Sequence, residues 1–117
     1  MGIAMKKKKN YLDFVPEHHP DLKWRLKDTG LVELIVPNKG ISNHIAQLLF
    51  GKPKISYIKL DEYGSFLWQQ IDGERDIYAL SELMGKHFGD KAEPVVERLV
   101  KFMRTLQINR YIQYKKS

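Results

Sequence analysis

The pattern of hydrophobic and polar positions predicts a β-hairpin and a third strand. Apolar residues alternate with cationic residues over positions 22–27, which is the two-residue period of a half-buried strand. A second apolar run at positions 31–36 follows Asp28-Thr29-Gly30, and glycine suits the left-handed position of a hairpin turn. The alternation returns at positions 55–60, so we expect a third strand there.

A period near 3.6 residues predicts four helices. The first is short, covers positions 41–50 and ends at Gly51, and its apolar residues recur every three or four positions. Asp61 and Asp76 are suitable N-caps for the second and third helices, Asp72-Gly73 ends the second, and Pro94 fits the first turn of the fourth. The core stripes of these last three helices are Tyr63, Phe66, Leu67 and Ile71; Ile77, Leu80, Met84 and Phe88; and Val96, Leu99, Val100, Met103 and Leu106.

The order of these elements, closed by a predicted strand at positions 111–114, is that of a winged helix-turn-helix. The predicted fold class is therefore α+β and winged helix-turn-helix-like. A three-stranded antiparallel sheet, made of the N-terminal hairpin plus the third strand, accompanies a three-helix bundle and one extra short helix. We expect residues 1–20 to be an irregular basic segment, residues 21–114 to be a single domain, and residues 115–117 to be a basic tail.

The positive charge of the chain is concentrated near its two ends. The net charge is +6, and six lysines lie at positions 6–9, 115 and 116. Between them, residues 11–114 hold 14 basic and 14 acidic side chains. A DNA-binding domain normally carries its positive charge on the folded face that contacts phosphates, so this distribution makes nucleic acid an unlikely partner.

The residue types favour a noncatalytic binding protein. The chain has no cysteine, which removes disulfides, thiolate metal sites and thiol nucleophiles. His18-His19 has no third ligand nearby, and we find no glycine-rich phosphate loop. We therefore expect no enzyme activity, no metal and no cofactor. No apolar run approaches the roughly 18 residues of a membrane span, and no apolar segment follows the lysines at positions 6–9, which predicts a cytoplasmic protein without a membrane partner.

The last helix carries a second apolar line beside its core stripe. Val95 and Phe102 form this line, and Arg98 and Thr105 flank it. One interpretation is that the line packs under the hairpin. The other is a groove between this helix and the strand at positions 55–60, whose unpaired backbone groups would accept a peptide as an added strand, with Arg98 pairing with peptide carboxylates.

The segment that begins at Leu60 resembles a known family. Leu67-Trp68 within the helix and Asp72-Gly73 at the turn are similar to the PqqD family, named for pyrroloquinoline quinone biosynthesis protein D, and the likeness extends over about residues 58–114. It implies a recognition element that holds the leader of a ribosomally made precursor peptide as an extra strand and presents it to a radical SAM maturase. Transferred to this sequence, the peptide-binding residues would be Tyr57, Ile58, Lys59, Val95, Arg98 and Phe102.

One departure from the family pattern and two alternative functions stay open at this stage. Arg110 stands where the family usually has glycine, so we expect Asn109 to take the left-handed position. The first alternative is a winged-helix nucleic-acid-binding regulatory protein that uses the last helix and the lysine tail. The second is a structural subunit whose groove pairs with its own copy or with a partner protein. The helix at positions 41–50 would either block or extend the groove.

Overall fold

The structure is a computed structural model that describes residues 10–37 and 55–116. The predicted helix at positions 41–50 lies outside the described residues. The strands are β1 (Pro16–His18), β2 (Lys23–Leu26), β3 (Val32–Pro37), β4 (Ile55–Lys59) and β5 (Ile112–Tyr114), and the α-helices are α1 (Glu62–Gln70), α2 (Ile77–Phe88) and α3 (Val95–Ile108).

The chain divides into two compact units, which we describe separately. The sheet unit is Pro20–Trp68, and the helical unit is Met1–His19 with Gln69–Ser117. The described part of the sheet unit holds β2, β3, β4 and most of α1, and that of the helical unit holds β1, α2, α3 and β5.

The sheet unit confirms the predicted hairpin and third strand. Its strands lie in the order β2-β3-β4, and both pairs are antiparallel. Gly30 in the hairpin turn has φ of +87°, a conformation that glycine adopts without steric cost. Val32 and Leu34 of β3 are fully buried, so the central strand supplies the core of this sheet.

The prediction that β2 is half-buried was wrong. All four of its residues are exposed, and even Trp24, on the face of the apolar residues, is 37% exposed. The physical reason is that, among the residues that the structure describes, β2 is an edge strand with one strand beside it rather than two. The Trp24 ring still packs edge-on against the buried Trp68 of α1, with ring centroids 6.1 Å apart.

Side-chain hydrogen bonds fix the start of α1 and attach it to the sheet. The predicted cap at Asp61 is confirmed, because its carboxylate accepts a hydrogen bond from the Gly64 N–H at 2.7 Å. The Ser65 hydroxyl accepts a hydrogen bond from the Val32 N–H (2.8 Å) and donates one to the Leu60 carbonyl (3.1 Å). One buried hydroxyl therefore joins α1 to the ends of β3 and β4.

In the helical unit, the predicted turn and cap between α1 and α2 are confirmed. The Asp72 carboxylate accepts hydrogen bonds from the N–H groups of Glu74 and Arg75, both at 2.9 Å, and Gly73 has φ of +78°. The Asp76 carboxylate caps α2 through the Ala79 N–H at 2.8 Å. Local hydrogen bonding of this kind is why aspartate marks helix starts in a sequence.

The core of the helical unit follows the predicted stripes in part, since the predicted core residues Phe88 and Val100 are half-buried. The buried residues of α2 and α3 include Ile77, Leu80, Met84, Leu99, Met103 and Leu106. Val96 was predicted to belong to the core, yet it is 42% exposed. Pro94 is the N-cap residue of α3 and does not lie in its first turn.

The N-terminal segment is more regular than the sequence suggested. Residues 1–20 were expected to be irregular, but Tyr11–Asp13 forms a 3₁₀ turn and β1 pairs antiparallel with β5. Pro16 begins β1, a position that proline tolerates because no ladder N–H is needed there. A strand of three residues offers too few positions for an alternating pattern to show, so the pairing could not be read from the chain.

The end of α3 corrects the expectation for Asn109. The left-handed residue is Arg110, with φ of +62°, whereas Asn109 has φ of −83°. The Tyr111 N–H donates to the Leu106 carbonyl and the Arg110 N–H donates to the Gln107 carbonyl, both at 2.9 Å. This pair of bonds is the Schellman motif, and here an arginine occupies the position that glycine usually takes.

Candidate functional site

The backbone of β4 has one edge directed away from β3. The Leu60 N–H donates to the Val32 carbonyl at 2.9 Å, which makes these two residues a hydrogen-bonded pair. In an antiparallel ladder such pairs alternate with non-hydrogen-bonded ones, so with the observed register Ile58 also pairs with β3 through its N–H and C=O. It follows that the backbone groups of Ile55, Tyr57 and Lys59 point outward. Within residues 10–37 and 55–116, no strand lies beyond β4.

The side chains of the same three residues are exposed on one face of the sheet. Ile55 and Tyr57 are 45% and 56% exposed, and Lys59 is also exposed, whereas Ile58 is half-buried on the opposite face. This face, which we call the outer face, also carries Lys23 and Arg25 of β2 and Glu33 of β3, in register with β4. The outer edge of β4 therefore presents backbone hydrogen-bonding groups together with two large apolar side chains and one cation.

The carboxylate of the outer face, Glu33, pairs with cations on the β2 side. Glu33 is 4% exposed. Its carboxylate accepts a hydrogen bond from Arg25 Nε at 2.7 Å. It also forms ion pairs with Arg25 Nη2 at 2.6 Å and with Lys27 Nζ at 3.6 Å. The hydrogen bond from Arg25 is the main cause that holds the pKa of Glu33 below its ordinary value. Lys59 stands opposite Glu33 in the ladder, yet no carboxylate of the described chain forms an ion pair with it.

Arg25 also contacts the aromatic ring of β4. Its guanidinium carbon lies 5.8 Å from the centroid of the Tyr57 ring, within the range of a cation–π interaction. This contact holds the Tyr57 ring over the outer face of the sheet. The phenol is therefore oriented, although more than half of its surface is exposed.

The three predicted site residues on α3 belong to the helical unit. Val95 is half-buried, and its Cγ2 atom lies 3.7 Å from the position that a Cβ on Gly85 of α2 would occupy. Arg98 is exposed and donates a hydrogen bond to the Lys91 carbonyl, and Phe102 is half-buried. The spacing of these residues brings them to one side of α3. Neither interpretation of the second apolar line predicted that Val95 packs against α2.

The helical unit also contains a groove that the residue pattern did not indicate. Its volume is about 460 Å³, and its lining residues are Tyr11, Leu12, Val96, Val100, Arg104 and Gln107. The number of apolar residues on α3 exceeds what one buried stripe needs, but this excess does not show where a groove lies. The 3₁₀ turn that supplies the opposite wall gave no periodic signal.

A tyrosine pair holds this turn in place. The hydroxyls of Tyr11 and Tyr114 are 2.6 Å apart, and the Phe14 ring packs against both aromatic rings. Burial, and next the hydrogen bond with Tyr11, raise the pKa of Tyr114 far above its ordinary value. Tyr114 is therefore a neutral phenol at physiological pH, and its role is to anchor the turn.

The described part of the chain meets neither the requirements of a metal site with three ligands nor those of a membrane-spanning helix. Residues 10–37 and 55–116 contain no cluster of three histidine, cysteine or acidic side chains that could hold a metal ion. None of the helices in this part of the chain has the length and apolar character needed to cross a membrane.

Comparison with known proteins identifies the family. The sequence model of the family described as coenzyme PQQ synthesis protein D (PqqD) matches residues 46–112. No curated protein and no solved structure matches the chain. The matched range includes β4 and all three described helices, and it covers more than half of the 117 residues. The chain therefore belongs to the PqqD family.

Proposed function

We propose that this protein is a noncatalytic adaptor that binds the leader of a ribosomally synthesised precursor peptide and presents it to a radical SAM maturase. Membership of the PqqD family supports a peptide-binding partner protein in general. The mode of binding that we propose is strand addition, in which the leader pairs with the outer edge of β4.

The observation that carries the proposal is the direction of the backbone groups on β4. The N–H and C=O groups of Ile55, Tyr57 and Lys59 point away from β3. Such an edge is a template for an added strand. The β4 edge is also short, and its side chains are compatible with a neighbouring strand because no proline and no glycine interrupts it.

Backbone pairing alone gives modest affinity. An antiparallel strand that faces Tyr57 and Lys59 would form about four hydrogen bonds, each with a net contribution of about 0.5–1.5 kcal/mol. A dissociation constant of 1 μM requires about 8 kcal/mol. Side-chain contacts must therefore supply a large part of the binding energy, and the exposed Ile55 and Tyr57 are the apolar groups that the β4 edge offers.

For the helical unit, Val95, Arg98 and Phe102 stay predicted peptide-binding residues. The exposed guanidinium of Arg98 is suited to a peptide carboxylate, and Val95 and Phe102 to apolar side chains. The variant that tests them is Phe102→Asp.

The strand-addition mode is tested by Tyr57→Pro. The substitution removes an N–H that points outward and leaves the hydrogen bonds to β3 intact, because proline is tolerated at such an edge position. Peptides are first selected on the wild-type protein from a displayed library of random 12-residue sequences, and the enriched peptides are synthesised and titrated by calorimetry. We expect Tyr57→Pro to remain folded by circular dichroism and to lose binding by at least tenfold.

Two control variants separate the backbone from the side chain. Tyr57→Ala keeps the N–H and should retain more affinity than Tyr57→Pro. Ile58→Pro removes an N–H that points to β3, so we expect it to destabilise the sheet itself. A folded Tyr57→Pro protein that binds the peptides with unchanged affinity would rule out strand addition to β4.

The presentation step is tested by a nuclease-treated pull-down from the native host, followed by mass spectrometry of proteins and short peptides. We expect a radical SAM enzyme or a small precursor peptide, and its loss with a folded Phe102→Asp variant. Recovery of partners only when nuclease is omitted would support the nucleic-acid-binding alternative instead.

A further inference from the structure

The outer face of the sheet carries an excess of positive charge. Lys23, Arg25 and Lys59 lie on the strands of this face, and Glu33 is the carboxylate among them. Arg25 and Lys27 already pair with that carboxylate. Within residues 10–37 and 55–116, the ammonium of Lys59 therefore lies at the outer edge of β4 and has no acidic partner.

The other carboxylates near Lys59 in the chain do not neutralise it. The Asp61 carboxylate caps α1 by accepting from the Gly64 N–H. Glu62 is exposed in the first turn of α1, where an acidic side chain interacts favourably with the helix dipole. No ion pair between Lys59 and either residue is present in the described chain.

A strand added to β4 would place its side chains in fixed rows. The residues Ile55, Tyr57 and Lys59 occupy the non-hydrogen-bonded positions of the β3–β4 ladder. In a ladder with an antiparallel strand on the other side of β4, the same three residues would occupy the hydrogen-bonded positions. Directly opposite residues then have Cβ atoms about 4.5–5.5 Å apart. An antiparallel neighbour also continues the arrangement of the existing sheet, and it meets Lys59 first, then Tyr57, then Ile55.

We propose that the bound peptide is an acidic-apolar strand, with Asp or Glu opposite Lys59 and apolar residues two and four positions later, opposite Tyr57 and Ile55. This inference rests on the proposed strand addition. It assigns Lys59 as a specificity-determining residue, since opposite charges directly across a ladder are favourable and like charges are unfavourable. We expect about a two- to fivefold preference for an acidic over a neutral residue at this position.

The experiment uses the displayed library of random 12-residue peptides as its probe. Selections are run on the wild-type protein, on Lys59→Glu, on Lys59→Gln and on Lys23→Glu. The last variant is a matched control, because Lys23 lies on the same face but on β2, at the far edge of the sheet. Circular dichroism checks that each variant is folded, and Lys59→Gln guards against disruption by a second carboxylate beside Glu33.

The expected result is a change in the selected charge with an unchanged apolar pattern. Selection on the wild-type protein and on Lys23→Glu should enrich peptides in which an acidic residue is followed by apolar residues two and four positions later. Lys59→Gln should lose the acidic preference, and Lys59→Glu should enrich Lys or Arg at the same position. In titrations with synthetic peptides, the ratio of affinities for Asp and Lys versions should change by about tenfold or more between wild type and Lys59→Glu.

Two other outcomes would overturn the inference in different ways. In the first, the selected peptides have alternating apolar residues but no charge preference, and they no longer bind Tyr57→Pro. This outcome would refute the role of Lys59 and leave strand addition intact. Enriched peptides that bind Tyr57→Pro as well as wild type, or no enrichment at all, would refute the proposed function and the inference with it.

Discussion

At the scale of single residues, Arg110 ends α3 in a conformation that is unfavourable for its side chain. Its φ of +62° lies in the left-handed region, and the two bonds of the Schellman motif depend on this geometry. For a residue with a Cβ, this region costs about 1–2 kcal/mol. The cost is avoided by glycine, which the family pattern usually has at this position.

We therefore predict that Arg110→Gly stabilises the protein. The free energy of unfolding should rise by about 0.5–1 kcal/mol, because relief of the left-handed strain exceeds the extra entropy of glycine in the unfolded chain. Urea denaturation followed by circular dichroism measures the change. Asn109→Gly is the control and should lower stability, since Asn109 has negative φ and its side-chain amide donates to the Thr105 carbonyl. A less stable Arg110→Gly protein would contradict this account of the helix end.

Glu33 gives the sheet unit a defined dependence on pH. Its pKa is lowered mainly by the hydrogen bond from Arg25, against an opposing effect of burial. Because the folded-state pKa lies below the unfolded one, the unfolded chain binds more protons in acid. The resulting stabilisation is fully present above the unfolded pKa of about 4.3 and is lost as the pH falls through the folded-state pKa.

The lowered pKa of Glu33 predicts how the substitution Glu33→Gln changes stability at different pH values. At pH 7 the variant should have a lower Tm than wild type, because its amide makes weaker interactions with Arg25 and Lys27. The difference in Tm should narrow as the pH is lowered from 6 into the acid range, because the wild-type carboxylate becomes protonated as the pH falls through its folded-state pKa. Thermal unfolding across this range measures it, and a difference that stays constant with pH would show that the charge of Glu33 is unimportant. Asp72 also has a lowered pKa, chiefly from the Arg75 N–H bond, so both proteins should still lose stability in acid.

At the scale of elements, Ser65 makes the contact between α1 and the sheet specific. Its hydroxyl bonds to the Val32 N–H and to the Leu60 carbonyl in a buried position. The Val32 N–H points to the β4 side, where the Leu60 carbonyl would otherwise receive it. The hydroxyl is thus inserted into the last step of the β3–β4 ladder.

Ser65→Ala should lower the free energy of unfolding by about 1–3 kcal/mol, because it leaves the buried Val32 N–H without a partner. Ser81→Ala is the matched control. Ser81 is also buried on a helix, but its hydroxyl bonds to the Tyr78 carbonyl within the same helix, so we expect a change below about 0.5 kcal/mol. Chemical denaturation of both variants tests the contrast, and equal losses would argue against a special role for the Ser65 bonds.

The elements that could be predicted from the sequence are those with enough residues to repeat a pattern. The hairpin, β4 and the three described helices all have a clear period or a capping aspartate, such as Asp61 or Asp76. By contrast, β1 has three residues, and its partner β5 lies almost 100 positions away, so only the folded chain shows their pairing. The exposure of Val96 was missed because helical periodicity identifies apolar faces without showing which of two faces is covered.

At the scale of the whole molecule, the candidate site could be predicted in part. The exposed positions of Tyr57 and Lys59 on an edge strand follow from the alternation at positions 55–60 and from the family resemblance. The pairing of Glu33 with Arg25 and Lys27, which leaves Lys59 without a described partner, depends on side-chain geometry that a sequence does not contain. The proposed charge selectivity of the added strand therefore rests on the structure, whereas its proposed position on β4 follows from the sequence.

The distribution of charge over the whole chain favours the proposed adaptor over a nucleic-acid binder. The net charge of +6 equals the number of lysines at positions 6–9, 115 and 116, and residues 11–114 are balanced. We predict that any affinity for duplex DNA is carried mainly by the lysines at positions 6–9. With four lysine–phosphate contacts, the logarithm of the binding constant should fall with the logarithm of the salt concentration with a slope of about −3.6. A doubling of the salt concentration should therefore weaken binding by roughly tenfold.

Fluorescence anisotropy with a 20-base-pair duplex at 50 and 100 mM salt tests this prediction on full-length variants. Replacement of the lysines at positions 6–9 by serine should abolish duplex binding and leave peptide binding unchanged. Replacement of Arg98, Lys101 and Arg104 on α3 by serine should have a much smaller effect on the duplex. The opposite order, with the α3 variant losing the duplex, would assign a phosphate-binding surface to α3 and would favour the nucleic-acid-binding function over the adaptor.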